Sequence, residues 1–287
     1  MVRRVEAPYG RNEISFMGAN FVARQLDWTM TEGWGQGDQA TNDWFAPAAT
    51  FERRFAEMLD EVVALGFMSF DVWTAQLNWT WATPSHLTTA RRLLDERGLT
   101  VPSYAGGFGG TVDEFARACA VAEAIGTGIL GGGVKTALLK GHRDALVDRL
   151  VAADLRLALE NHPERTPAEM LAKVGDGAGG RIGTAVDTGW YGTQGFDAAE
   201  AIRELGDHVM HVHLKDVSAV GAHDCCRYGE GVVPVRDCVA AIREIGYTGA
   251  VAVEHEPETY DPSAECAAHR ELLAAWLAEP EPVGTAR

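Results

Sequence analysis

The chain has 287 residues, 46% of them hydrophobic and 23% charged, and a formal net charge of −16. That composition supports a large buried core and excludes a disordered chain. The acidic balance argues against a nucleic-acid backbone or an anionic membrane surface as partner. Five cysteines, Cys119, Cys225, Cys226, Cys238 and Cys266, form no CxxC pair or regular framework. They read as reduced thiols in a cytoplasmic protein, with the vicinal Cys225–Cys226 pair as packing. The opening MVRRVEAPYGRNEISF has no apolar signal region, and no run reaches the roughly 18 apolar residues of a membrane span.

In chain order, a strand is expected at 14–23 and a long Trp- and Gly-rich loop at 27–47. An amphipathic helix follows at 51–66, a strand at 67–73, and a helix at 84–98 with Pro near its start and Gly past its end. A third strand in LTVPSYAGG precedes a helix at 111–126, and a fourth strand at 127–133 precedes one at 136–153. The remaining strands are expected at 154–161, 181–189, 208–216 and 249–256. Helices from Pro167, at 197–206, at 235–246 and at 263–277 follow them. Eight strand/helix units without a composition break imply a parallel sheet closed into a (β/α)8 TIM barrel. It forms one domain over about 12–278, with 279–287 as a frayed tail. The runner-up, an open doubly wound sheet, lacks a G-x-G-x-x-G after the first strand. The glycines of YAGGFGG and GILGGG are expected to be turns at the rim.

Residues two apart on a strand share a face. On the last four expected strands one face is bulky: Leu155, Leu157 and Leu159; Ile182, Thr184 and Val186; Met210, Val212 and Leu214; Val251 and Val253. That face must meet the helices. The other face is small or polar, lines the barrel, and ends in Glu160, Asp187, His213 and Glu254. Active sites of this barrel type lie at the C-terminal strand ends, and adjacent strands are about 4.8 Å apart, so the four side chains converge. Three carboxylates buried together would repel without a cation. The set is oxygen-rich and hard, which favours Mn²⁺ or Mg²⁺, with Co²⁺ also accommodated. His211, one layer deeper, is expected to support or pack.

The segments LALENH, AVDTG, HVHLKD, GEGVV and VAVEHE, in this order, resemble the sugar phosphate isomerase/epimerase superfamily with its xylose isomerase-like barrel. Its members include ketose 3-epimerases, inosose dehydratases and endonuclease IV-type repair enzymes. The resemblance is strong over about 155–256 and elsewhere rests on the strand/helix rhythm. It implies one divalent metal ion held by Glu160, Asp187, His213 and Glu254. It also implies that Glu160 and Glu254 take and return a proton α to a carbonyl, through an enediolate. The repair enzymes and many ketose epimerases carry a histidine three residues after the Asp; here that residue is Trp190, an apolar wall or sugar-stacking platform. With no histidine on strands two and three, nuclease activity is not expected.

The expected function is metal-dependent isomerisation or epimerisation of a keto sugar or polyol. The alternative is β-elimination by a lyase acting on an inosose, a 3-oxo-glycoside or a C-glycoside; a non-catalytic subunit is the third reading. Candidate substrate contacts are His162, Trp190, Lys215, His223, Arg227, Asp71 and Trp73. Trp28, Trp34 and Trp44 are read as a lid or a partner interface. The absence of a phosphate clamp favours an unphosphorylated substrate, and a homo-oligomer or a partner subunit is left open.

Overall fold

The strands are shorter than the apolar runs that announce them, trimmed at one or both ends. The structure, a computed structural model, describes residues 12–279. The segment without a signal region therefore lies outside the described residues up to residue 11, as does the expected tail beyond Glu279. The strands are β1 (Ile14–Met17), β2 (Phe70–Trp73), β3 (Tyr104–Gly107) and β4 (Ile129–Gly133), then β5 (Arg156–Glu160), β6 (Ile182–Asp187), β7 (Val209–Leu214) and β8 (Val251–Val253). They pair in sequence order, all parallel, and β8 pairs with β1 to close the barrel.

The helices form the outer layer. They are α1 (Trp34–Phe45), α2 (Ala48–Ala64), α3 (Pro84–Glu96), α4 (Val112–Ile125), α5 (Thr136–Gly141) and α6 (Arg143–Ala152), then α7 (Pro167–Val174), α8 (Thr188–Thr193), α9 (Ala198–Leu205), α10 (Val235–Glu244) and α11 (Ser263–Leu277). Outward strand residues such as Phe16, Phe70, Leu130, Leu157, Val212 and Val253 are fully buried beneath them in one apolar cluster. The inward face is small or polar: Ser15, Ala105, Ala158, Ala185 and Ala252, with Asp71 and His211.

Several expectations are corrected. The first strand stops at Met17 and passes into short 3-10 stretches, Gly18–Phe21 and Arg24–Leu26. There the Asn20 side chain, not a backbone rung, bonds the end of β8. The stretch 27–47 is not all loop: it holds α1, whose buried residues Gly37, Thr41 and Phe45 recur every fourth position. Only one of these is strongly apolar, so no helical stripe shows in the sequence. The helix expected at 136–153 is two, broken where His142 leaves helical backbone geometry. The glycines of YAGG and GGG are not turns but paired rungs of β3 and β4, Gly106 opposite Gly132 and Gly107 opposite Gly133.

Met210 is also corrected. The β6–β7 register slips between Thr184 and Ala185, pairing Thr184 with Val209 but Ala185 with His211. Met210 is therefore the extra residue of a bulge. It packs with Ile129, Ala158 and Ala185 in the barrel interior rather than facing the helices. Gly183 makes this fit: a Cβ there would meet Met210 Cε at 2.7 Å.

Candidate active site

The barrel ladder ends unevenly, and side chains continue it. After the last β5–β6 rung at Glu160 and Ala185, Asn161 stands in for the next one. Its Nδ2 donates to Asp187 O at 2.9 Å and its Oδ1 accepts the Asp187 N–H at 2.7 Å. Thr188 does the same for the end of β7, its hydroxyl donating to Lys215 O and accepting the Lys215 N–H, each at 2.8 Å. Asn20 flanks Glu254, donating to Val253 O at 3.0 Å and accepting the His255 N–H at 2.7 Å. The carboxylates of β6 and β8 thus sit on backbone fixed from both sides.

Glu160, Asp187, His213 and Glu254 line one cavity of about 400 Å³ at the C-terminal mouth. Glu160 Oε1 lies 2.8 Å from His213 Nδ1, which is 3.8 Å from Glu254 Oε2. On the other side His162 bridges two carboxylates: Nδ1 is 3.3 Å from Glu160 Oε2 and Nε2 is 3.2 Å from Asp187 Oδ2. Asp187 Oδ1 meanwhile caps α8 by accepting the Trp190 N–H at 3.0 Å. Among the described residues, Glu160, His162 and Asp187 offer donor atoms all within 4.8 Å of one another, a spacing suited to a metal ion. His213 joins this group through Glu160, and Glu254 through His213. His162, expected as a substrate contact, therefore stands inside the donor ring. The available signal was its place two residues beyond Glu160, just past the strand.

The electrostatics fit a positive centre. Burial disfavours charge on each group, yet His162 and His213 hold the Glu160 carboxyl well below its usual range. Against burial, Glu160 and Asp187 raise the His162 imidazole to about 10. Glu254 and Glu160 do the same for His213, also to about 10. Burial pushes Glu254 up to about 8, with Lys215 pulling down and Glu256 adding to the rise. Glu254 Oε2 is buried without a hydrogen-bond partner, a state that costs on the order of 1–3 kcal/mol when nothing meets it. A hard, oxygen-rich donor set with an orphaned carboxylate oxygen suits a divalent cation.

Trp73, Trp190, Lys215 and His223 also line the cavity. Trp190 is fixed by its Nε1 bond to Glu164 O at 2.9 Å, by His162 edge-on at 4.6 Å and by His223 stacked at 5.6 Å. Lys215 Nζ lies 2.6 Å from Glu256 Oε2 and 3.8 Å from Glu254 Oε2. Trp34 lines the mouth edge-on to Trp73 at 5.2 Å. Trp28 instead packs on Phe21, and Trp44 carries Arg54 over its ring. Glu256 and Glu258 belong to the lining and were missed. Glu256 shares the Glu254 face of the sequence, which was the usable signal.

Two expected contacts are corrected. Arg227 does not line the cavity; its guanidinium is held by Glu265 at 2.7 Å. Asp71 is fully buried below the mouth. It accepts hydrogen bonds from Ser15 and, at 2.7 Å, from Ser103, and lies 3.3 Å from His211 Nε2. Its carboxylate is engaged by these buried partners and does not line the cavity. Cys225 accepts the Glu256 N–H at 3.4 Å, and burial pushes its thiol up to about 12. That leaves little thiolate for redox chemistry.

A model of the xylose isomerase-like TIM barrel family matches residues 59–278. L-ribulose-5-phosphate 3-epimerase UlaE of Escherichia coli (strain ATCC 8739) is 36% identical over 73 residues, 25% of each chain. UlaE of Salmonella paratyphi C is 36% identical over 72 residues. The matched stretch thus spans about a quarter of these curated relatives. A D-tagatose 3-epimerase-like protein superposes with a TM-score of 0.66 at 16% identity, covering 92% of this chain and 97% of that one. An L-ribulose 3-epimerase gives 0.64 at 14%, covering 93% and 94%. At these identities the structural likeness shows the fold.

Proposed function

The chain belongs to the xylose isomerase-like TIM barrel family, and from that membership we propose a divalent-metal-dependent isomerase or epimerase of a keto sugar or related polyol. The observation that carries this reading is the convergence of Glu160, Asp187, His213 and Glu254 from four consecutive strand ends on one cavity. These residues would hold one ion, Mn²⁺ in the first instance. When bound, it would supply Lewis acidity that makes a C–H beside a carbonyl removable.

The chain's own groups do the rest. Glu160 and Glu254 stand on strands three staves apart and would remove and return the α-proton. His162, within reach of Glu160 and Asp187, would orient Glu160 and meet a substrate hydroxyl. Lys215, between Glu254 and Glu256, would hold a substrate oxygen. Trp34, Trp73 and Trp190 wall the cavity with apolar faces and limit water, and His223 backs Trp190. The epimerase relatives favour proton return over elimination. Five cysteines without a disulfide accord with a cytoplasmic enzyme, and among the described residues no helix is long and apolar enough to cross a membrane.

The test is solvent-deuterium exchange at the α-carbon of a ketose panel, with the metal-loaded protein. Glu160→Gln and Glu254→Gln should each slow exchange by about 10²–10⁴, and the wild-type product should gain deuterium while losing neither water nor an aglycone. Exchange surviving both changes at the wild-type rate removes these residues as bases. Loss of water or of an aglycone would instead mark a lyase.

A further inference from the structure

We propose that the cavity takes an uncharged, unphosphorylated sugar and rejects the phosphate ester of the same sugar, with Glu256 and Glu258 as the residues that set this choice. The inference rests on the sugar-isomerase reading and adds the charge class of the substrate.

The first observation is the charge of the wall. Five carboxylates line the cavity, those of Glu160, Asp187, Glu254, Glu256 and Glu258, against one ammonium, that of Lys215. Lys215 is already engaged, 2.6 Å from Glu256 and 3.8 Å from Glu254. A bound dication and Lys215 together offset three of the five negative charges, so two remain. Among the described residues, no arginine lines the cavity. A phosphate dianion would enter against like charge in a partly desolvated site, where repulsion is strong.

The second observation is independent. TIM barrels commonly bind phosphate on the loops after strands 7 and 8. Here the loop after β7 does gather backbone N–H groups, but Asp216 fills the nest. Its fully buried carboxylate accepts from Val217 at 2.9 Å, Gly229 at 2.9 Å, Gly231 at 3.2 Å and Val233 at 3.0 Å. A Cβ on Gly231 would lie 2.3 Å from Asp216 Oδ1, so the pocket has closed on its own anion. The segment after β8 brings Glu256 and Glu258 instead of donors. What remains at the mouth is Trp34 and Trp190, faces suited to the C–H surface of a neutral sugar. The cavity volume, about 400 Å³, is within the small-molecule range of roughly 300–1,000 Å³.

The experiment compares matched pairs on the Mn²⁺-loaded protein: L-ribulose with L-ribulose 5-phosphate, and D-fructose with D-fructose 6-phosphate. Binding is read by quenching of tryptophan fluorescence and by saturation-transfer NMR, and turnover by α-deuterium exchange. The neutral member of at least one pair should bind at least 10-fold tighter than its ester. Glu258→Lys should narrow that ratio at least 5-fold, chiefly by improving the ester. An ester that binds as well as or better than its parent overturns the proposal, and if it is also epimerised the isomerase reading survives. A neutral sugar that binds but undergoes elimination overturns the isomerase reading and leaves this one standing. Binding of neither member of any pair overturns both.

Discussion

Two asparagines show how single side chains fix this site. Asn161 completes both backbone bonds of Asp187, and Asn20 spans the peptide groups on either side of Glu254. Replacing Asn161 with alanine strands a buried N–H and C=O, so it should lower stability by about 1–3 kcal/mol in urea unfolding. Supporting residues of this kind also orient ligands, and Mn²⁺ affinity measured by titration should fall about 10–100-fold. Unchanged affinity in a folded variant would show that Asp187 needs no such brace. That Glu160, Asp187, His213 and Glu254 face one cavity was legible, because a two-residue period marks which strand residues look inward. The asparagines were not: Asn20 meets a backbone group 233 residues away, and no local pattern encodes that distance. His162 was readable as a neighbour of Glu160, but its bridge to Asp187 depends on how the β5 exit turns.

At the level of elements, the β3–β4 glycines are demanding. Gly132 has φ +150°, and a Cβ there would lie 2.0 Å from Gly106 O. Gly132→Ala should destabilise by about 3 kcal/mol or more, since backbone must move to admit it; calorimetric melting measures this. The sequence displayed these glycines but not the cross-strand contact that requires them. Likewise the Met210 bulge was hidden, because alternation alone assigns every residue a side and has no mark for a slipped register. Helix α11 sets an acid limit. Burial, with His255 nearby, lowers His269 to about 3, where its Nε2 accepts the Tyr228 N–H at 3.2 Å. Against its burial, hydrogen bonds from Tyr260, Arg227 and His255 hold Glu265 at about 2. Both folded values lie below their unfolded ones, so the unfolded chain binds more protons as pH falls. The His269 contribution is full above about pH 6.5 and drains towards pH 3, and that of Glu265 drains from about 4.5 to 2. His269→Gln, which keeps an acceptor, should therefore lose less melting temperature than wild type between pH 7 and 5. Equal losses in the two proteins would refute this.

For the whole molecule, the buried acidic ring makes stability depend on what it binds. Loading the site should stabilise by about 2.7 kcal/mol when free cation is 100-fold above Kd. Thermal melting should thus rise by several degrees with Mn²⁺ and fall back with EDTA. Identical melting in both would speak against a cation at this site. The barrel was legible as eight repeated units because each helix and strand keeps its own period. Its closure was legible from the count of eight, but not the register of the seam, since nothing in Ile14–Met17 announces which residues of Val251–Val253 it pairs with.

That seam has a consequence for synthesis on the ribosome. The first strand stays half-paired until β8 has emerged, because its second neighbour is the last of the eight strands to be translated. Sealing the cask and delivering Glu254 are then one event, so a nascent chain completes the wall of its cavity only at the moment its first strand loses its open edge.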